Sequence, residues 1–212
     1  MIEVTEQIRA VERQVGSSRV LADGEGRVMT ISQRYRTDID DLWEACTSAE
    51  RIRRWFSPVT GELVLGGRFQ VEGNAGGTIE RCDPPKSFGA TWEFGDTVSW
   101  IELRLTAEPG GWTRLELEHV VPVDDHWAQF GPGAVGIGWD MALMGLATYL
   151  QAGGKAVDRE QAAAWVVSED GRRFMTLASE RWRDANIAAG TDEAEATAAA
   201  DRCTAAYAGP AA

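Results

Sequence analysis

Lysine, histidine and cysteine are scarce in this 212-residue chain, and each scarcity narrows what the protein does. Lys86 and Lys155 are the only lysines, so arginine supplies nearly all of the 21 positive charges, against 33 acidic groups and a net charge of −12. A surface of that sign repels phosphate, and the densest basic run is just Arg51, Arg53 and Arg54. Neither nucleic acid nor an anionic membrane is an expected partner. Two histidines, His119 and His126, and three widely separated cysteines, Cys46, Cys82 and Cys203, form no metal-ligand spacing and no CxxC. No metal and no other cofactor is expected. Charges run through the first fifteen residues, so there is no signal-peptide pattern, and free thiols in a reducing cytoplasm are the expectation. The one long apolar run, Ala134–Leu150, falls short of the roughly 20 residues that cross hydrocarbon, and reads as a buried helix.

Periodicity is what the chain has in plenty. Val4, Ile8, Val11 and Val15 recur at helical spacing, which predicts one amphipathic helix over the first twenty residues. From Arg27 to Arg36 the period drops to two, with Met29, Ile31 and Tyr35 on one side: a half-buried strand. Two short helices follow, one with Ile39, Leu42, Trp43 and Cys46 inward, the next with Ile52, Trp55 and Phe56, ending at Pro58. Gly61 to Pro122 then alternates throughout, through Leu63 and Leu65, Phe69 and Val71, Thr78–Cys82, Phe88–Phe94, Ser99–Leu105 and Leu115–Val121, with glycine or proline turns between. Such short connections favour an antiparallel meander with one apolar face, which needs a cover. A loop, Pro122–Pro132, leads to that cover, the apolar run, about 26 Å long if wholly helical. The expectation is an α+β domain over 24–153, a curved antiparallel sheet around a long helix, preceded by a helical segment (1–23). A helical extension (154–212), packed on the domain or on a second copy, completes the chain.

The run TDIDDLWEACTSAERIRRWFSPVTGELVLGGRFQ resembles the opening of the family named for the activator of the heat-shock-protein-90 ATPase, within the START-like SRPBCC superfamily. The matching motifs are Leu42-Trp43, Trp55-Phe56 and Gly66-Gly67-Arg68-Phe69, then Pro84-Pro85, Thr91-Trp92, the Thr113–His119 strand and Gly138-Trp139. Together they run from about Arg27 to Leu150. The resemblance implies the helix-grip fold and a cavity between sheet and long helix, where superfamily members hold apolar small molecules and some act as cyclases or lyases. The namesake's chaperone-activating role is not carried over, because that protein has an additional amino-terminal domain for which the first 26 residues here are too short.

Against that frame the chemical candidates separate. Gly131-Pro-Gly-Ala-Val-Gly136 fits G-x-G-x-x-G at a helix start, yet no buried strand precedes it. The glycines are expected to let the helix lie close to the sheet or a ligand. His119 shares a face with Leu115 and Leu117, so it points inward, either as an acid/base or ligand contact or as a satisfied buried residue. Asp140 is the sole charge in the long helix, either facing the cavity or paired to an arginine such as Arg34 or Arg104. Cys46 and Cys82 read as packing residues. Trp43, Trp55, Phe69, Trp92, His119, Trp139 and Leu143 are the expected ligand-binding lining. Trp127 and Phe130 are candidates for a gate, and Trp165 and Trp182 for covering the cavity mouth or making a dimer contact. Binding of a small apolar or aromatic molecule is the leading expectation. The alternatives are a cyclase-, dehydratase- or hydrolase-type enzyme using His119 with Asp140, or a protein-interaction module formed by the tail and Arg51–Arg54.

Overall fold

The computed structural model describes residues 2–21 and 24–209, so the expected boundary at residue 23 lies outside the described residues. Helix α1 (Val4–Ala10) starts where the Glu3 carboxylate accepts from the amides of Thr5 and Glu6, and it stops early. Val11 is already extended, and strand β1 (Val11–Leu21) replaces the second half of the expected helix. Valines at 11 and 15 fit either period. Arg13 between them, turned inward and not apolar, is what hides the strand from a hydrophobic pattern. Strand β2 (Gly24–Tyr35) pairs antiparallel with β1, and α2 (Ile39–Thr47), capped by Asp38, and α3 (Ala49–Ile52) follow.

The meander follows as β3 (Val59–Gly61), β4 (Arg68–Val71), β5 (Gly76–Asp83), β6 (Ser87–Phe94), β7 (Thr97–Glu108) and β8 (Trp112–Pro122). Here the expected Leu63–Leu65 strand is corrected: the pairing falls on Val59–Gly61, and 62–67 is a turn that leaves Leu65 exposed. Gly67 sits in that turn because a side chain there would strike the Glu62 carbonyl. The sheet order is β1-β2-β8-β7-β6-β5-β4-β3, antiparallel at every paired step. Short turns tether the neighbours from β3 to β8, and the pairing of β2 with β8 brings the two ends of the meander's connection together.

The loop before the long helix contains a helix of its own, α4 (Asp125–Phe130), capped by Asp124. Then α5 (Gly133–Gln151) crosses the concave face, and α6 (Arg159–Val166), α7 (Glu169–Ala188) and α8 (Glu193–Ala208) form the extension. The extension folds back on its own chain, α7 against α1, β1 and α5, and α8 against α4 and α7. Trp165 and Trp182 are therefore buried, at 7% and 1% exposure, and neither covers a cavity mouth nor presents a surface.

The glycine motif belongs to this packing. A side chain at Gly136 would overlap the Trp182 indole, and one at Gly133 would press on the Cys203 sulfur. Gly131, at φ 57°, faces Ala199 and Asn186. The close approach is thus to the tail helices, not to the sheet or a ligand. Asp140 is on the same face of α5. It is wholly buried, with Arg13 Nε 3.1 Å from both carboxylate oxygens and Trp182 Nε1 donating at 2.9 Å. Its partner is Arg13, not Arg34 or Arg104. Burial pushes the Asp140 carboxyl upward, opposed by the Arg13 charge and by hydrogen bonds from Arg13 and Trp182. The same guanidinium donates through Nη1 to the Ile8 and Val11 carbonyls, closing the end of α1. One ion pair therefore joins α1, β1, α5 and α7.

Candidate functional site

Opposite the tail, α5 turns Trp139, Ala142, Leu143 and Leu146 to the sheet, at spacings of three, one and three that keep them on one helical stripe. They roof a cavity of about 310 Å³. Its floor comes from alternate residues of five strands: Phe69 and Val71 from β4, Ile79 and Cys82 from β5, Phe88 and Trp92 from β6, Ile101 and Leu103 from β7, Leu115 and Leu117 from β8. The α2–α3 segment closes the side with Trp43, Cys46, Thr47, Ile52, Trp55 and Phe56. Gly145 permits this closure, since a side chain there would run into the Trp55 carbonyl. Trp55 is anchored by its Nε1 donating to the Ala45 carbonyl at 3.0 Å.

A register shift between Ile79 and Arg81 sets the β5 wall. The extra residue rotates the strand, so that Cys82, opposite Phe88, joins Ile79 on the concave side despite an odd separation. Cys82 is thus an exposed residue on the pocket rim and not packing as expected, whereas Cys46 is buried, with its thiol pushed up to about 12 by desolvation. A bulge leaves no mark in the alternation, so the sequence does not reveal it.

Seven aromatic side chains stand on the wall, several in ring contact. Trp92 and Trp139 lie 5.1 Å apart between centroids, Phe69 and Trp92 6.2 Å, and Trp43 and Phe88 6.2 Å edge to face. Among the described residues the lining includes no Asp, Glu, His, Lys or Arg. Of the expected lining, Trp43, Trp55, Phe69, Trp92, Trp139 and Leu143 are brought together around the void. His119 is not among them: it points inward but sits behind Trp139, 2% exposed. Trp127 and Phe130 are not on the wall either. Their helix is held by α8, with Arg202 Nε donating to the Gln129 carbonyl and the Cys203 thiol to that of Phe130.

Both ring nitrogens of His119 are occupied. Trp139 Nε1 donates to Nδ1 at 3.0 Å, which places the imidazole proton on Nε2, 2.9 Å from the Ser99 hydroxyl. Ser99 in turn donates to the Trp92 carbonyl at 2.9 Å. Burial lowers the His119 pKa from 6.5 to about 4, so at neutral pH the ring is uncharged. Ser99 was not singled out by its sequence context. Its position two residues before Ile101, the strand partner of His119, is the signal that would have found it.

A strongly curved antiparallel sheet gripping one long helix over an apolar cavity is the architecture of the START-like superfamily. The sequence profile described as "Activator of Hsp90 ATPase homolog 1-like protein" matches residues 36–151. The chain belongs to that family. Among solved structures it is similar to CalU16 from Micromonospora echinospora, with 34% identity over 86% of this chain and 99% of that chain and a TM-score of 0.68. This likeness reaches well beyond the stretch the profile matches. EF2215 from Enterococcus faecalis, a conserved protein of unknown function, shares the fold at 13% identity over 86% of this chain and 96% of that one, TM-score 0.58. DynU16 does so at 20% identity over 61% and 48%, TM-score 0.53. No curated protein matches the chain. No helix among the described residues is long and apolar enough to cross a membrane.

Proposed function

We propose that this family member binds a small, uncharged apolar or aromatic molecule in the cavity between α5 and the sheet, and does so in the cytoplasm. The observation that carries the reading is the lining itself: about 310 Å³ walled by aromatic and aliphatic side chains, within the size range of ligand sites. The polar groups beside it are turned to the protein, as the Trp55 and Trp139 indoles are. A charged guest would lose its hydration with no counter-charge on the wall. A two-ring guest burying about 300 Å² at about 25 cal/mol per Å² gains about 7.5 kcal/mol of transfer energy, from which the cost of its lost translational and rotational freedom is subtracted. The description of DynU16 as a protein in the dynemicin biosynthetic locus accords with a small organic occupant. Binding is favoured over acid–base catalysis because the titratable groups on the described wall are the thiols of Cys46 and Cys82, and His119 is spent on Trp139 and Ser99.

Native mass spectrometry of the purified protein, followed by titration with the neutral fluorophore N-phenyl-1-naphthylamine, tests this. Saturable one-to-one binding that is lost in Ala142→Phe, whose ring enters the void, supports the reading. An empty protein that takes up no probe, or a variant that binds as well as the parent, overturns it. The same spectrum reads whether a second copy is present.

A further inference from the structure

Two of the pocket's rings share a support that never touches the cavity. Trp139 reaches from α5 and Trp92 from β6, and their indoles, in contact at an angle of 49°, form one corner of the wall. Behind them runs an unbroken chain: Trp139 Nε1 to His119 Nδ1, His119 Nε2 to Ser99 Oγ, Ser99 Oγ to the Trp92 carbonyl. His119 and Ser99 are 2% and 5% exposed, and the imidazole meets the Trp139 ring edge to face at 81°. An indole held only by packing can rotate about two side-chain torsions. One whose N–H is aimed at a fixed buried acceptor cannot do so without leaving that donor or acceptor unsatisfied, which in a dry interior outweighs most ring-packing preferences. The acceptor is fixed because the Trp139 N–H can only donate, which keeps the imidazole proton on Nε2, and Ser99 Oγ holds the ring in place by accepting the hydrogen bond from that proton.

We propose that His119 and Ser99 are positioning residues that determine which guests the pocket accepts, by locking the Trp139 indole against Trp92 so that the wall presents a rigid aromatic corner. The inference rests on the pocket reading above. A locked corner favours flat, rigid guests that stack on it; a released Trp139 turns the corner into an adaptable surface that takes flexible aliphatic chains equally well.

Two amides divide the role of the imidazole. His119→Asn puts a carbonyl oxygen near the position of Nδ1 and keeps the acceptor for Trp139. His119→Gln reaches the position of Nε2 and keeps the bond to Ser99 but not that to Trp139. Two readouts are taken together: the ¹⁵N–¹H resonance of the Trp139 indole, assigned with Trp139→Phe, and the ratio of affinities for N-phenyl-1-naphthylamine and for the neutral, flexible 1-decanol, the latter read by displacement of the fluorophore. In the Gln variant the indole resonance is expected to move upfield and the ratio to fall about tenfold, the effect of one buried hydrogen bond. The Asn variant stays within about threefold of the parent. Should the His119 variants fail to fold, Ser99→Ala, which removes the partner of His119 Nε2 and so loosens the ring, is expected to shift both readouts the same way and less. A resonance that stays put in the Gln variant, or one that moves while the ratio holds, overturns the inference, as do Asn and Gln variants that fall together with their melting temperatures. A parent protein that binds neither probe is a different failure, that of the pocket reading, and removes the specificity role with it.

Discussion

Along the β1–β2 side of the sheet the concave face is filled: Met29, Ile31 and Tyr35 are at most 4% exposed, and α1, α5 and α7 close over that side. On the β6–β4 side, Trp92, Phe88 and Phe69 stand half-buried around a void of about 310 Å³. One helix roofs both. The face α5 turns to the tail is made of small residues and one buried charge, and everything it touches is in close contact. The face it turns to the outer strands is apolar, meets the sheet at Trp139 and Trp92, and beyond that corner leaves a gap. Cavities are unfavourable where nothing fills them, and the open half is where the proposed guest would be held.

The filled half is broken most severely through its ion pair. Asp140→Ala strands the Arg13 guanidinium, 3% exposed, without its partner, and is expected to cost about 3–5 kcal/mol in urea unfolding. A loss under about 1 kcal/mol would mean the pair is not what ties the tail to α5. Acid should strike next. The unfolded chain protonates His119 near 6.5 and the folded chain near 4, so between those values the unfolded state binds the extra proton. This contribution is whole above about pH 6.5 and is lost as pH falls through that window, by roughly 3 kcal/mol at about 1.4 kcal/mol per pH unit. Comparing urea titrations of the parent and His119→Asn across the window isolates the term, since the variant should lack it; equal slopes would refute it.

Gly136→Ala puts a methyl group into the Trp182 indole, and should cost about 1–3 kcal/mol and speed amide exchange in α7. The smallest stability effect belongs to the open half. Ala142→Phe, placed where there is space, should shift stability by less than about 1 kcal/mol while abolishing probe uptake. A large loss in its thermal melt would show that this half is packed like the other.

How much of this was readable from the sequence follows the same division. The meander, the long helix and the tail helices were legible because alternation and helical spacing report which way side chains face, and six pocket residues followed from that together with the family motifs. Distances were not. Nothing in the pattern says that Arg13, 127 residues from Asp140, is its partner, or that three glycines make room for Trp182, Cys203 and Ala199 rather than for the sheet or a ligand. His119 was placed on the correct face, but which of its neighbours stands between it and the cavity depends on the reach of Trp139 from another element. Cys82 was misjudged because a bulge, which alternation does not reveal, turns it to the rim.

The chain's nine tryptophans offer the most direct test of the central claim, that the open half binds an apolar guest. Four of them, Trp43, Trp55, Trp92 and Trp139, stand on the pocket wall, and Trp165 and Trp182 are buried side chains of the tail helices. Titrating ¹⁵N-labelled protein with N-phenyl-1-naphthylamine and following the indole N–H resonances reads both halves at once. The account predicts saturable shifts for the four pocket indoles and none for Trp165 and Trp182. Shifts confined to the tail pair, or no shift at any indole, would contradict it.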